Sequence, residues 1–151
     1  LYDGYYGDSA VTLPVGEISQ EYQKLLTVCE ESLKLGIAKA LKGNRLFDIS
    51  YTVQNHVEKN GMSVVRDYVG HGIGRKMHEE PQIPNFGKPG RGPRLEIGMA
   101  LAIEPMVNLG GYQVETLKDN WTVITKDHLA SAHFEHTVAI TENGPEILTR
   151  I

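Results

Sequence analysis

The chain has a single cysteine, Cys29, so no internal disulfide can form and no thiolate-rich zinc finger can be built. One lone thiol fits a reducing compartment. Basic residues are not in excess: 15 Lys and Arg face 19 Asp and Glu, for a net charge of −4. That balance draws in neither nucleic acid nor an acidic membrane surface. The small group Lys88, Arg91 and Arg94 reads as a solvated loop. No apolar run approaches the ~20 residues of a membrane-spanning helix. Internal repeats and low-complexity tracts are missing too. The first residues, Leu1-Tyr2-Asp3-Gly4, contain no initiator methionine and no signal-peptide pattern, and they read as the middle of something longer. What is present is ordinary for a globular domain: 151 residues, 40% hydrophobic and 23% charged, enough for one sizeable core.

Taken in order, the pattern changes period twice. Leu1 to Val11 alternates around Asp3-Gly4, a hairpin-turn pair, and predicts a second strand with Tyr6, Asp8 and Ala10 on one side. Pro14-Val15-Gly16 breaks it. Ser19 is a plausible N-cap with Glu21 in the first turn. Tyr22, Leu25, Leu26, Cys29, Leu33, Ile37, Ala40 and Leu41 then recur at helical spacing, up to a stop at Gly43-Asn44. Cys29 lies on that stripe and reads as core. A second helix is expected from an N-cap at Asp48, with Ile49, Val53 and Val57 inward and Asn60-Gly61 as the end; His56 beside the stripe reads as structural. After Gly61 the period falls to two. Strands are expected over Ser63–Tyr68, Met99–Ile103, Ser131–Ile140 and Glu146–Thr149, with a hairpin of Tyr112–Glu115 and Asn120–Thr125. Pro81 to Pro93 reads as a long loop, and Glu96-Ile97-Gly98 as a tight turn. Helices followed by many antiparallel strands argue α+β.

Four polar residues stand where burial should be costly. His71 lies among glycines in Gly70-His71-Gly72-Ile73-Gly74, seven residues before His78. On a strict strand that odd spacing separates the two imidazoles, but the glycines permit a bulge that turns both into one cleft. Glu104 closes an apolar strand ahead of Pro105. Glu135 sits in an apolar-flanked strand, with His133 and Thr137 on its face and Phe134, His136 and Val138 opposite. Asp8 occupies a strand, where aspartate is disfavoured. Each carboxylate needs a partner if buried. Three carboxylates and one imidazole suit a divalent ion such as Mn, Fe, Co or Zn. Gly70-x-Gly72-x-Gly74 is no phosphate loop, for no helix follows it. Asn120-Trp121-Thr122 matches a glycosylation acceptor by chance.

The stretches GHGIGRKMHEEPQIPNF, IEP at Glu104, FEHTVAIT around Glu135, DGYYGDSA around Asp8 and NWT at Trp121 together resemble type I methionine aminopeptidases. The resemblance implies the pseudo-symmetric pita-bread fold of α+β class, with two helices on a mainly antiparallel curved sheet. Residues 1–151 would be the C-terminal half of that catalytic domain. It implies five side chains around two divalent ions, of which Asp8, His71, Glu104 and Glu135 match four. The fifth, an aspartate, would precede Leu1, as would a further histidine and most of the methionine pocket. His71 and Glu104 would complete one ion site, while Asp8 and Glu135 bridge both, leaving the second incomplete. A metal-bridging hydroxide would then attack the first peptide bond. Glu104 would shuttle the proton and His78 would steady the tetrahedral intermediate. Met77 and Trp121 would border the substrate, and His133 and His136 would orient ligands. The implied activity is removal of the initiator methionine from nascent polypeptides in the cytoplasm, at or near the ribosome. The chain alone should then be weakly active or inactive. It should pair its first strands with the missing half or another copy. The alternatives are an X-Pro peptidase of the same fold and a noncatalytic pita-bread binding module.

Overall fold

The computed structural model describes residues 1–150. Its frame is a six-stranded antiparallel sheet with two helices packed against one face. Asp3 and Gly4 both have positive φ, 47° and 82°, and Tyr2 and Tyr5 exchange N–H···O bonds of 2.8 and 2.9 Å across them. This is the two-residue hairpin turn expected for Asp-Gly. The chain then reaches β1 (Ser9–Ala10). Helix α1 (Gln20–Ile37) starts where the Ser19 hydroxyl accepts the Tyr22 N–H at 3.2 Å, and α2 (Leu46–Lys59) ends at Asn60. The strands are β2 (Ser63–Val64), β3 (Gly70–Gly72), β4 (Glu79–Ile83), β5 (Ala100–Ile103), β6 (Met106–Asn108), β7 (Val114–Thr116), β8 (Val123–Thr125), β9 (Ser131–His133), β10 (Glu135–Thr141) and β11 (Gly144–Ile147). Every strand pair is antiparallel.

The main sheet runs β1-β10-β5-β3-β4, with β11 also on β10; β2-β6-β9 form a second sheet and β7-β8 a ribbon. Alternate residues of the central strands face the helices. Leu101, Ile103, Val138 and Ile140 join Leu33, Ile37, Leu46 and Ile49 in one buried cluster. A second cluster gathers Leu25, Val28, Cys29, Val53 and Val57 with Val64, Val107 and Ala132. Phe134 packs against both. The helices approach closely at Gly36, where a Cβ would meet Val53 Cγ2 at 2.9 Å. Burial holds the Cys29 thiol up at about 12, so it stays neutral as a core residue. Its Sγ lies 3.4 Å from the carbonyls of Pro105 and Ala132. Among the described residues, no helix is long and apolar enough to cross a membrane.

Several expected boundaries move, each because a tertiary bond outcompetes local pattern. Helix α1 stops at Ile37 instead of running to Gly43. The chain tightens into turns there, and Gly43 and Asn44 pair with Leu95 through bonds of 2.8 and 2.9 Å. Tyr22 and Leu41, placed on the apolar stripe by spacing, are exposed. Helix α2 begins two residues before Asp48, with Arg45 as N-cap. Asp48 caps from inside the first turn, accepting the Arg45 N–H at 2.8 Å and the Gly90 N–H at 2.7 Å. The strand expected over Ser63–Tyr68 ends at Val64, where Arg66 turns its guanidinium over the rings of Tyr112, at 4.1 Å, and Phe86, at 5.3 Å. The loop expected from Pro81 starts later, because β4 pairs with β3. β4 is the sheet's edge, where a strand tolerates proline. The last strand lies at Gly144–Ile147, and Thr149 beyond it bonds to His136 and Thr137 instead.

The largest departure is at Phe134. The strand expected over Ser131–Ile140 is two strands, β9 in the second sheet and β10 in the first. Opposite, β5 gives way to β6 across Glu104-Pro105. Phe134 N–H reaches the Pro105 carbonyl at 3.4 Å, so the two breaks face each other. Glu104 and Glu135 both stand at this split.

Candidate metal centre

On the sheet face away from the helices, five side chains converge from four separate stretches of sequence. A ligand atom from each of Asp8, His71 and Glu135 lies within 4.8 Å of the others, and the same holds for Glu104, His133 and Glu135. The sequence stretches that carry Asp8, His71, Glu104 and Glu135 therefore do meet.

His71 is held between β5 and β4, opposite Ala102 and Gln82. Its two neighbours must be glycine: a Cβ at Gly70 would overlap the Ala102 carbonyl, and one at Gly72 the Glu80 carbonyl. The β3–β4 register slips between His71 and Gly72, which is the bulge expected from the glycines. The returning strand brings His78 back beside His71, ring centroids 4.4 Å apart at 61°. Both line a cleft of about 630 Å³ with Lys76, Glu79 and Gln82. His71 Nδ1 lies 2.9 Å from the Gly72 carbonyl. A carbonyl only accepts, so Nδ1 carries the proton and Nε2 presents its lone pair to the cluster.

Glu104 follows β5, and Asn85 fixes its backbone by donating to its carbonyl at 3.1 Å. One carboxylate oxygen lies 3.5 Å from His71 Nε2 and the other 3.5 Å from His133 Nε2. These separations are longer than formed hydrogen bonds, and His133 Nε2 is buried without a partner. Glu135 opens β10 at 4% exposure, and its Oε1 also has no hydrogen-bond partner. Burial first, then the neighbouring charges of Glu104 and Asp8, push its carboxyl up from the usual 4.5 to about 8. Asp8 is positioned through its backbone. Its N–H donates to Thr137 Oγ1 at 2.9 Å, and the same hydroxyl donates to its carbonyl at 2.8 Å.

The donor set fits a divalent cation. It offers carboxylate and imidazole without thiolate, and two of its buried atoms are orphaned. Two donors about 2.1 Å from one tetrahedral ion stand about 3.4 Å apart. The two imidazole–carboxylate separations of 3.5 Å match that spacing.

The remaining expected site residues lie outside the cluster. Met77 precedes His78 on the β3–β4 turn and is partly exposed. Trp121 sits in the β7–β8 connection at 87% exposure, its backbone N–H donating to Asp119 Oδ1. His136 bonds Thr149 Oγ1 at 2.8 Å through Nδ1; burial, then Arg150, lowers its pKa. His56 is half-buried, 3.2 Å from Glu31. Sequence reasoning missed Thr137, Thr12 and Asn85 as backbone anchors. It assigned His133 an orienting role without placing its ring in the cluster. The signal for His133 was its shared face with Glu135.

Comparison with known proteins covers nearly the whole chain. The profile of metallopeptidase family M24 matches residues 1–142. The chain is 62% identical to a methionine aminopeptidase of Clostridium perfringens over 149 residues, 99% of this chain and 60% of that protein. It is 59% identical to methionine aminopeptidase 1 of Bacillus subtilis, again over 99% of this chain and 60% of the relative. The chain thus spans about 60% of the length of these relatives. A crystal structure of methionine aminopeptidase from Thermotoga maritima superposes with TM-score 0.98 at 52% identity, covering 100% of this chain and 61% of that one. A prolidase from Pyrococcus furiosus gives 0.76 at 25% identity, covering 100% of this chain and 39% of that one.

Proposed function

Since the chain belongs to metallopeptidase family M24, whose pita-bread α+β fold it shares, we propose that it carries the metal-binding and proton-transfer side chains of a methionine aminopeptidase. The substrate is a polypeptide with an N-terminal methionine, and the reaction is hydrolysis of its first peptide bond. The observation that carries this reading is Glu135, a buried carboxylate with an orphaned oxygen at the junction of two ligand groups. Its situation is costly in an apolar wall and sensible beside a cation.

Asp8, His71, Glu104 and Glu135 would hold divalent ions, His71 through Nε2. Asp8 and Glu135 would serve as shared ligands, and His71 and Glu104 would complete one ion's donor set. Cobalt, manganese, iron and zinc are all compatible with this donor set. A bound divalent ion lowers the pKa of its water toward neutrality and polarises a carbonyl oxygen. Glu104, at the end of β5, takes up the proton released in the attack and returns it to the departing amine. His78, on the cleft wall beside His71, donates a hydrogen bond to the substrate carbonyl as negative charge gathers there. Met77 and Trp121 offer apolar surface to the methionine side chain. The setting that suits this work is the cytoplasm, where polypeptides leave the ribosome with their initiator methionine in place.

The second reading is an X-Pro peptidase, supported by the likeness to a prolidase. Identity of 52% to the methionine enzyme against 25% to the prolidase favours the first. The test uses the natural protein carrying this sequence, loaded with cobalt or manganese, on Met-Ala and Ala-Pro peptides. Methionine release that chelator abolishes and Glu104→Gln lowers by at least about 100-fold supports the proposal. Cleavage confined to the X-Pro peptide favours the second reading. Inertness toward both, with saturable binding of peptide, favours a binding module.

A further inference from the structure

The proposed centre does not use every donor that faces it. His133 ends β9, and its Nε2 is buried, unpartnered and 3.5 Å from the Glu104 oxygen that His71 does not approach. With Glu104 and Glu135 it forms a ligand group whose donor atoms lie within 4.8 Å of one another, as do those of Asp8, His71 and Glu135; the two groups share Glu135. The backbone of His133 is also anchored in the same manner as that of Asp8. Thr12 Oγ1 accepts the His133 N–H at 2.9 Å and donates to the His133 carbonyl at 2.8 Å. Thr137 makes the corresponding pair of bonds to Asp8. One threonine hydroxyl thus fixes each donor-bearing residue at two points. An imidazole pinned at its backbone, with an orphaned ring nitrogen between two carboxylates, is arranged as a ligand.

We infer that His133 is a metal ligand, forming with Glu104 and Glu135 a second donor set that takes a borderline divalent cation. This rests on the metal centre proposed above and adds a nitrogen donor to it. The added imidazole shifts the preference away from hard ions such as magnesium and toward cobalt, zinc and iron.

The test is cobalt(II) titration of metal-free, ¹⁵N-histidine-labelled protein, counting imidazole N–H signals moved far outside the normal range by the bound ion. The wild type should show His71 and His133 so shifted. His133→Gln and His133→Asn should each lose one signal and keep the other, with cobalt affinity falling by about tenfold or more. His136→Gln, on the opposite face of the same segment, should keep both. Circular dichroism checks that each variant is folded. If both His133 variants keep every shifted signal and the wild-type affinity, the inference is overturned while the proposed centre stands. If the folded wild type shows no shifted imidazole and no saturable cobalt binding, the centre itself is overturned as well.

Discussion

The two faces of the central strands β5 and β10 are built from alternate residues of the same segments, and they differ in kind. Toward the helices, Leu101, Ile103, Val138 and Ile140 are almost wholly buried in an apolar cluster with no polar atom to satisfy. On the other face lie Ala102, Thr137 and Glu135, with the adjoining Glu104 beside His71. There Glu135 Oε1 and His133 Nε2 are buried without partners. The first face is what holds the fold together, at roughly 25 cal/mol for each Å² of apolar surface removed from water. The second costs folding free energy. A pattern that spends stability on one face while the other is close to ideal marks the second as the place of function.

That contrast can be attacked from either face. The largest effect belongs to the helix side. Ile103→Ala should lose about 2–5 kcal/mol in urea unfolding, because it leaves a cavity under both helices. A loss under 1 kcal/mol would mean the core is looser than it looks. Gly70→Ala should cost about 1–3 kcal/mol, since its methyl overlaps the Ala102 carbonyl and must push β3 away from β5. Crystallography of that variant should find His71 displaced from Glu104.

The metal-free protein should lose stability as pH rises from about 4.5 to about 8. In that window unfolded chains have released the Glu135 proton while the folded state, with its carboxyl raised to about 8, still holds it. Stability therefore falls with pH and levels off above that range. Glu135→Gln should remove this contribution and be the more stable protein at pH 8, as thermal melts across pH would reveal. An unchanged slope in the variant would sink the assignment of that proton to Glu135. The smallest effect is Thr137→Val, which breaks two bonds to the Asp8 backbone. About 1 kcal/mol of stability should go, along with part of the cation affinity, both measurable on one sample by chemical unfolding and calorimetry.

How far each face can be read from the amino acids follows from the same contrast. Local signals were legible: Asp3-Gly4 as a turn, Ser19 as a cap, Cys29 and Ile103 as core, the glycines around His71 as a bulge. Each is set by residues within a few positions of one another. The split at Phe134 was not legible, because the period of two runs unbroken from Ser131 to Ile140. What breaks the strand is its partner, which turns at Glu104-Pro105 and leaves Phe134 bonded to Pro105. The end of α1 was hidden for a similar reason, since Leu95, a third of the chain away, captures Gly43 and Asn44. Of the centre, the four ligand candidates stood out as polar residues in apolar company. The Thr137 and Thr12 anchors did not, for a hydroxyl in a strand looks the same whether or not a distant backbone reaches it. His133 was visible as a face-mate of Glu135, yet only the fold brings its ring nitrogen to Glu104.

The central claim is that Asp8, His71, Glu104 and Glu135 share a cation. Calorimetric titration of the metal-free protein with cobalt(II) at pH 7, repeated in buffers of different ionisation enthalpy, tests it most directly. Saturable binding should occur with net release of protons, because the Glu135 carboxyl, raised to about 8, is mostly protonated at that pH and must give up its proton to the ion. Glu135→Gln should abolish both the binding and the proton release. Heat that is non-saturable, or equal in the wild type and Glu135→Gln, would contradict it.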